Sequence, residues 1–356
     1  MQPFSYEQNA SRVLFGNGTR KRLKAEAERL GLARVLVLST AAQCEIAEQM
    51  RSLLGDLAVG VFSEAAMHTP VTVTERGMAC VRELDADGVV AIGGGSTVGL
   101  GKAIAIRTGL PQIVLPTTYA GSEMTPLIGE TFLGVKKTQR TSDALPEVVI
   151  YDVDLTLSLP IPMSVKSALN AMAHAIEALY APDGNPITAL AAEEGVRAVF
   201  SGISRLSLGA DDGEVRSELL YGAWLCGRCL GEVSMGLHHK LCHSLGGAFN
   251  LPHAEMHAIL LPYVLAFNAP VIPDAITRLR HALRSDDPVR TLFQLQRTCA
   301  VPLGLREIGM PVYGVTQVVD QVLANPYKNP REPKRVELET LLLRAWAGEA
   351  EGIAAR

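Results

Sequence analysis

Residues 88–102 read Gly88-Val-Val-Ala-Ile-Gly-Gly-Gly-Ser-Thr-Val-Gly-Leu-Gly-Lys102. The first five are a short apolar run bounded by glycine, the pattern of a strand buried on both faces. The triplet Gly93-Gly-Gly95 then turns the chain into a helix predicted to run past Lys102. Neighbouring segments repeat the scheme. Arg34-Val-Leu-Val-Leu-Ser39 reads as a buried strand preceded by a helical stretch over 21–30. Gln112-Ile-Val-Leu115 reads as another, ending at Pro116-Thr-Thr118, and Val148-Val-Ile-Tyr-Asp152 as one more. Strands alternating with helices predict a parallel sheet covered on both sides.

The character changes after Pro160-Ile-Pro162. Helices are expected over 164–181, 187–206, 212–230 and 234–247, with few strand candidates between them. The proline-bracketed turn divides an α/β half, residues 1–160, from an all-helical half, residues 161–356. A chain of 356 residues is long enough to give each half its own core.

Composition excludes several function classes. A net charge of -4 offers no general basic surface for nucleic acid. No apolar run is long enough to span a bilayer. The start, Met1-Gln-Pro-Phe-Ser-Tyr6, lacks a signal peptide, so a cytoplasmic location is expected. Six cysteines in a chain of this size do not make a disulfide framework. Cys226-Gly-Arg-Cys229 has CxxC spacing but no second pair, and its flanks read as a buried helix, so its reading is structural.

The glycine triplet lets the backbone approach a pyrophosphate, and the N–H groups opening the next helix face that anion. The spacing is not GxGxxG. Gly93, Gly94, Gly95, Ser96 and Thr97 are therefore candidate dinucleotide contacts because they leave the carboxyl end of a strand, where such sheets bind ligands. Thr117 and Thr118 follow the next strand and either hydrogen-bond the cofactor or cap their own turn. Lys136 and Lys137 either reach cofactor oxygens or form a solvated pair. Ser39-Thr40 stands where an acid would hold the adenosine ribose and repel a 2′-phosphate. Neither residue is charged, so both NADH and NADPH are expected as cofactors.

Five of the eight histidines fall between His238 and His257. Asn170 and His174 are four apart, as are His239 and His243, so each pair leaves one face of a helix; Pro252-His253 follows. Helical pairs of this kind build divalent-metal sites, although a single histidine on an apolar helix is more often a core residue. His238 and His257 look dispensable beside them.

These stretches together resemble the iron-containing (group III) alcohol dehydrogenase superfamily, over essentially the whole chain from Phe15-Gly-Asn-Gly18 onward. Within it the chain is similar to the maleylacetate reductase branch. That likeness rests on the 93–102 loop, Pro116-Thr-Thr-Tyr-Ala-Gly-Ser-Glu-Met-Thr125, Leu169-Asn-Ala-Met-Ala-His174 and Asn325-Pro-Tyr-Lys-Asn-Pro-Arg331. Most metal-using relatives carry Ser-Pro after the glycines, a longer threonine-rich loop, and Asp where Asn170 stands. The resemblance implies a dehydroquinate synthase-like architecture, an α/β nucleotide-binding domain followed by an all-α domain, assembled as a homo-oligomer, commonly a dimer. It implies that Asn170, His174, His239 and His253 occupy the family's metal-ligand positions, and that His243 lies near nicotinamide and substrate. The reaction implied is NAD(P)H-dependent reduction of 2-maleylacetate to 3-oxoadipate, late in the breakdown of aromatic compounds.

With a neutral amide in place of the acid, the site is expected to work without a metal. Hydride addition to an alkene conjugated to a ketone gives an enolate, far less basic than an alkoxide, which hydrogen bonds can stabilise. His243 and His253 are expected to polarise the substrate oxygen or supply the proton, with His174 and His239 shaping the pocket. The substrate is a small dicarboxylate, for which Lys328, Arg331 and Lys240 are candidate cations and Tyr327 and Asn325 candidate donors; surface solvation is the plainer role of each cation. Two other readings stand beside this one: a metal-dependent alcohol or aldehyde dehydrogenase that tolerates Asn170, and a nucleotide-binding protein without catalysis.

Overall fold

A computed structural model describes residues 4, 6, 11–132, 135–325 and 327–350. The described residues form two compact units, one drawn from 8–159 and 212–220, the other from 1–7, 160–211 and 221–356.

In the first unit the elements alternate: β1 (Arg12–Gly16), α1 (Leu23–Arg29), β2 (Val35–Leu38), α2 (Cys44–Leu54), β3 (Ala58–Phe62), α3 (Val71–Glu83), β4 (Gly88–Gly93), α4 (Gly95–Thr108) and β5 (Gln112–Pro116). A hairpin, β6 (Leu127–Phe132) and β7 (Val135–Arg140), precedes β8 (Val148–Asp152). Six strands form a sheet in the order β1-β8-β5-β4-β2-β3, every pair parallel. Alternate side chains of the central strands enter two cores, because successive residues of a strand face opposite ways. Val35, Val37, Val90, Ile92, Ile113 and Leu115 pack with Leu23, Met50 and Leu54, while Leu36, Leu38 and Val89 pack with Val73, Val81, Leu100 and Ile104. Burying one such side chain contributes roughly 1.5–3 kcal/mol, which is why the central strands read as unbroken apolar runs.

From β2 the chain steps outward to β3, then returns to the other side of β2 with β4. Strand order reverses at that point, and the carboxyl ends of β2 and β4 flank the crevice where α/β sheets bind ligands. Gly93 pairs with Pro116, so the loops after β4 and β5 leave the sheet side by side.

The second unit contains α5 (Ile161–Ala178), α6 (Pro186–Ser207), most of α7 (Gly213–Glu232), α8 (Leu237–Phe249), α9 (His253–Asn268), α10 (Pro273–Leu283), α11 (Pro288–Thr298), α12 (Gly314–Ala324) and α13 (Arg335–Ala347). Ala168, Ala171, Ala173, Ala175 and Ala178 are all buried in α5, and small side chains of this kind let neighbouring helices approach closely. From Met256 to Asn268 nearly every residue of α9 is buried. Cys226 and Cys229 are buried free thiols within α7, as a structural CxxC requires. No described helix is long and apolar enough to cross a membrane.

Candidate active site

The triplet is the junction between β4 and α4. Gly93 adopts φ +152°, and a Cβ there would stand 2.5 Å from Thr97 Oγ1 and 2.7 Å from Gln43 Oε1. Glycine alone fits. A Cβ on Gly94 would meet Thr118 Cγ2 at 3.0 Å. No side chain caps α4; the backbone N–H groups of Thr97 and Val98 donate to Gly94 O at 3.0 and 3.1 Å. The earlier N–H groups, of Gly95 and Ser96, are thereby left for an anion at the positive end of the helix.

Thr117 fastens the adjacent loop from inside: its N–H donates to Gly93 O at 3.0 Å and its Oγ1 accepts from Gln43 Nε2 at 2.8 Å. Thr97 is fully buried and its Oγ1 has no partner. Gly95 is exposed, and Ser96 and Thr118 are half-buried. Ser39 is fully buried at the end of β2; its N–H donates to Phe62 O at 3.0 Å and its Oγ is unpaired. Lys137 stands exposed on β7 opposite Glu130. The side chain of Lys136 falls outside the described residues. Lys102, buried on α4, donates to Ser122 O and Thr125 O, each at 2.6 Å, and to Leu127 O at 2.9 Å. Burial draws its ammonium down to about 7, opposed by the charge of Glu123.

In the helical unit Asn170, His174 and Glu177 project from one face of α5, and each is at most 5% exposed. Glu177 is the hub. Its Oε2 accepts from His239 Nδ1 at 2.6 Å and from the backbone N–H groups of Gly236 and His239 at 3.1 and 3.3 Å. Its Oε1 accepts from the N–H of His238 at 2.8 Å. The carboxylate thus satisfies the orphan donors opening α8 and complements the helix dipole. Burial works to raise its pKa, but the hydrogen bond and charge of His239, with the backbone N–H of His238, hold it below the usual range. With Nδ1 of His239 committed, its Nε2 meets His174 Nδ1 at 2.8 Å. Glu177, His239 and His174 form one hydrogen-bonded series.

His238 and His257 belong to the same cluster. His238 Nε2 lies 2.9 Å from His257 Nδ1. Burial lowers the pKa of His238 to about 3 and that of His257 well below 6.5, so both are neutral near pH 7. The His257 ring centroid is 4.4 Å from that of His253 and 5.0 Å from that of His239. His243 is exposed on α8, its ring 6.2 Å from that of His239, and His253 is half-buried at the start of α9. Asn170 Oδ1 is buried without a partner.

Asn325, Tyr327 and Lys328 line one pocket of about 670 Å³ with Tyr180 and Glu332. Tyr327 Oη has no partner, and burial, then the charge of Glu177, pushes its pKa up to about 12. Lys240 Nζ lies 6.0 Å from the centre of the Tyr327 ring. Arg331 corrects the expectation placed on it. Its guanidinium donates to Phe267 O at 2.8 Å and Glu337 Oε1 at 2.6 Å and sits over the Phe267 ring, so it braces the loop and is not offered to a ligand. The sequence reading passed over Glu177, Gln43 and Lys102. Only Glu177 left a signal, an acid three residues after His174 on the same helix face.

Two family models match the chain, one for iron-containing alcohol dehydrogenase over residues 10–153 and one for the C-terminal part of the Fe-containing alcohol dehydrogenase family over residues 164–346. A maleylacetate reductase from Burkholderia cepacia is 50% identical over 348 residues, covering 98% of this chain and 99% of that protein. Crystal structures of maleylacetate reductases from Rhizobium sp. strain MTP-10005 and Agrobacterium tumefaciens superpose with a TM-score of 0.94 each, at 50% and 49% identity. Each covers 98% of this chain and 99% of the relative. The chain belongs to the iron-containing alcohol dehydrogenase family.

Proposed function

We propose that the protein is an NAD(P)H-dependent oxidoreductase that reduces the carbon–carbon double bond of 2-maleylacetate, giving 3-oxoadipate. The observation that carries this reading is the Glu177–His239–His174 series beside the neutral amide of Asn170, in a chain half identical over nearly its full length to relatives named for that reaction. Residues 1–160 take the cofactor. Gly93, Gly94, Gly95 and Ser96 face its pyrophosphate, while Thr97, Thr117 and Thr118 shape the loop; Ser39 lies toward the adenosine ribose and Lys137 toward outlying oxygens.

Residues 161–356 handle the substrate. Hydride from the coenzyme adds to the alkene carbon remote from the ketone, the C=C π pair shifts to join the near alkene carbon to the carbonyl carbon, and the C=O π pair becomes the enolate oxygen's. A proton added at the carbon next to the carbonyl then restores the ketone. His243 and His253 are the accessible imidazoles of the cluster and serve as polariser and proton donor. The Glu177 series holds the buried pair His239 and His174 in fixed tautomers behind them. Asn325, Tyr327 and Lys328 receive a substrate carboxylate.

The four positions that hold the cation elsewhere in the family do not suit iron. They offer three imidazoles and a neutral amide, with no anionic oxygen to offset the ion's charge. We therefore assign turnover to hydrogen bonding rather than to a Lewis acid. The enzyme works late in aromatic breakdown, as a cytoplasmic homodimer that accepts NADH and NADPH. The test is oxidation of each coenzyme with freshly generated maleylacetate, before and after exhaustive chelation. Equal rates are expected. Activity that vanishes with a stoichiometric metal and returns on its addition points instead to a metal-dependent alcohol or aldehyde dehydrogenase.

A further inference from the structure

Among the described residues one group of three metal-ligating side chains has all its donor atoms within 4.8 Å of one another: His238, Cys242 and His257. None belongs to the four family ligand positions. Each is at most 1% exposed. His238 and Cys242 are one turn apart on α8, and His257 meets them from α9. His238 Nε2 lies 2.9 Å from His257 Nδ1 and 3.8 Å from Cys242 Sγ. In a tetrahedral site with metal–nitrogen bonds of about 2.05 Å and a metal–sulfur bond of about 2.3 Å, such atoms stand about 3.4 Å and 3.6 Å apart. The two separations from His238 stand within about half an ångström of that geometry, and the His257–Cys242 pair lies within 4.8 Å, so closing on a cation falls to side-chain torsions.

We propose that His238, Cys242 and His257 form a binding site for a thiophilic divalent cation of the zinc class. Nδ1 of His238 and Nε2 of His257, the ring nitrogens not shared by the pair, have no hydrogen-bond partner. In the metal-free protein one of the two inner nitrogens carries the proton that the pair shares, and no outer partner holds either ring in that tautomer. On binding, both imidazoles carry their proton on the outer nitrogen, the inner lone pairs and the thiolate take the cation, and one thiol proton leaves to solvent. The thiolate offsets one of the two charges. Glu177, whose Oε1 accepts the backbone N–H of His238, supplies negative charge nearby. Three protein donors leave a fourth position open, and the cation ties α8 to α9. The site stands whatever the enzyme's substrate is.

Because the cluster is enclosed, the test loads the ion while the chain folds, by producing the full-length protein in cells supplied with Co²⁺. The expected result is about one cobalt per chain, with a thiolate-to-cobalt charge-transfer band in the near ultraviolet. Cys242→Ala should abolish the band and His174→Ala should keep it. Should Cys242→Ala fail to fold by circular dichroism, His257→Asn provides the same comparison through loss of the four-coordinate cobalt visible bands. A wild-type protein without the charge-transfer band, a band that survives Cys242→Ala, or one lost in His174→Ala overturns the assignment.

Discussion

Replacing Glu177 with Gln tests how far the histidine site depends on one carboxylate. The wild-type side chain accepts four hydrogen bonds, three from the N–H groups opening α8 and one from His239 Nδ1. A glutamine carbonyl can keep roughly two of them, while its NH₂ group turns a donor toward another donor. Hydrogen bonds to a charged group contribute roughly 1.5–3 kcal/mol each, so losing two costs about 3–6 kcal/mol. At roughly 2–4 °C per kcal/mol the lower figure alone brings the melting midpoint down by about 6–12 °C. The same change frees His239 to flip its tautomer and turns the buried pair from an anchor into a source of disorder. A fall in kcat of roughly ten- to a hundredfold is expected, with the KM for coenzyme unchanged, because the glycine loop lies in the other unit. Differential scanning fluorimetry and steady-state kinetics with maleylacetate measure both quantities. A Glu177→Gln enzyme that melts like the wild type, or that keeps kcat within twofold of it, would refute the reasoning.

Other outcomes follow from other parts of the molecule. Gly93→Ala places a Cβ 2.5 Å from Thr97 Oγ1 at φ +152°, a strain of about 1–3 kcal/mol; NADH affinity by fluorescence titration should fall at least tenfold, and an unchanged Kd contradicts the phosphate-loop assignment. His238 has a native pKa of about 3 against 6.5 for the unperturbed group. The unfolded chain therefore binds the extra proton as pH falls below 6.5, and stability, complete above that value, is lost progressively down to about pH 3. The loss at pH 5 is roughly 2 kcal/mol, read from denaturant midpoints, and His238→Leu should flatten that slope. The ratio of kcat/KM for NADH and NADPH should stay below about a thousandfold, since no acid follows β2. His243→Ala should lower kcat by roughly a hundredfold if that imidazole delivers the proton; a loss of tenfold or less moves the role to His253.

The four strands at the heart of the sheet, β2, β4, β5 and β8, were legible because burial on both faces demands continuous apolar runs. The flanking β1 and β3 were not: most of their residues are only half-buried, so neither run nor alternation stands out. The hairpin β6–β7, rich in charge along Lys136, Lys137 and Arg140, carries no strand pattern at all. The helices α5 to α8 were found within a few residues, since an amphipathic period survives uncertainty at its ends. Asn170, His174, His239 and His243 were readable as i,i+4 pairs. The partnerships of His238 and His257 were not, because they depend on how α8 and α9 are rotated against each other. Arg331 misled for a related reason: a cation in a polar loop looks available until its acceptors, Phe267 and Glu337, are known.

Glu177 has a consequence for how relatives of this chain should be interpreted. Since one carboxylate both starts α8 and orients His239, a descendant that abandoned its chemistry but still needed to fold would be under pressure to retain that acid. Its presence in a distant homologue is therefore poor testimony of activity. Drift at His243 or Asn170, whose replacement leaves the helix start intact, is the better sign that an ancestral trade has been given up.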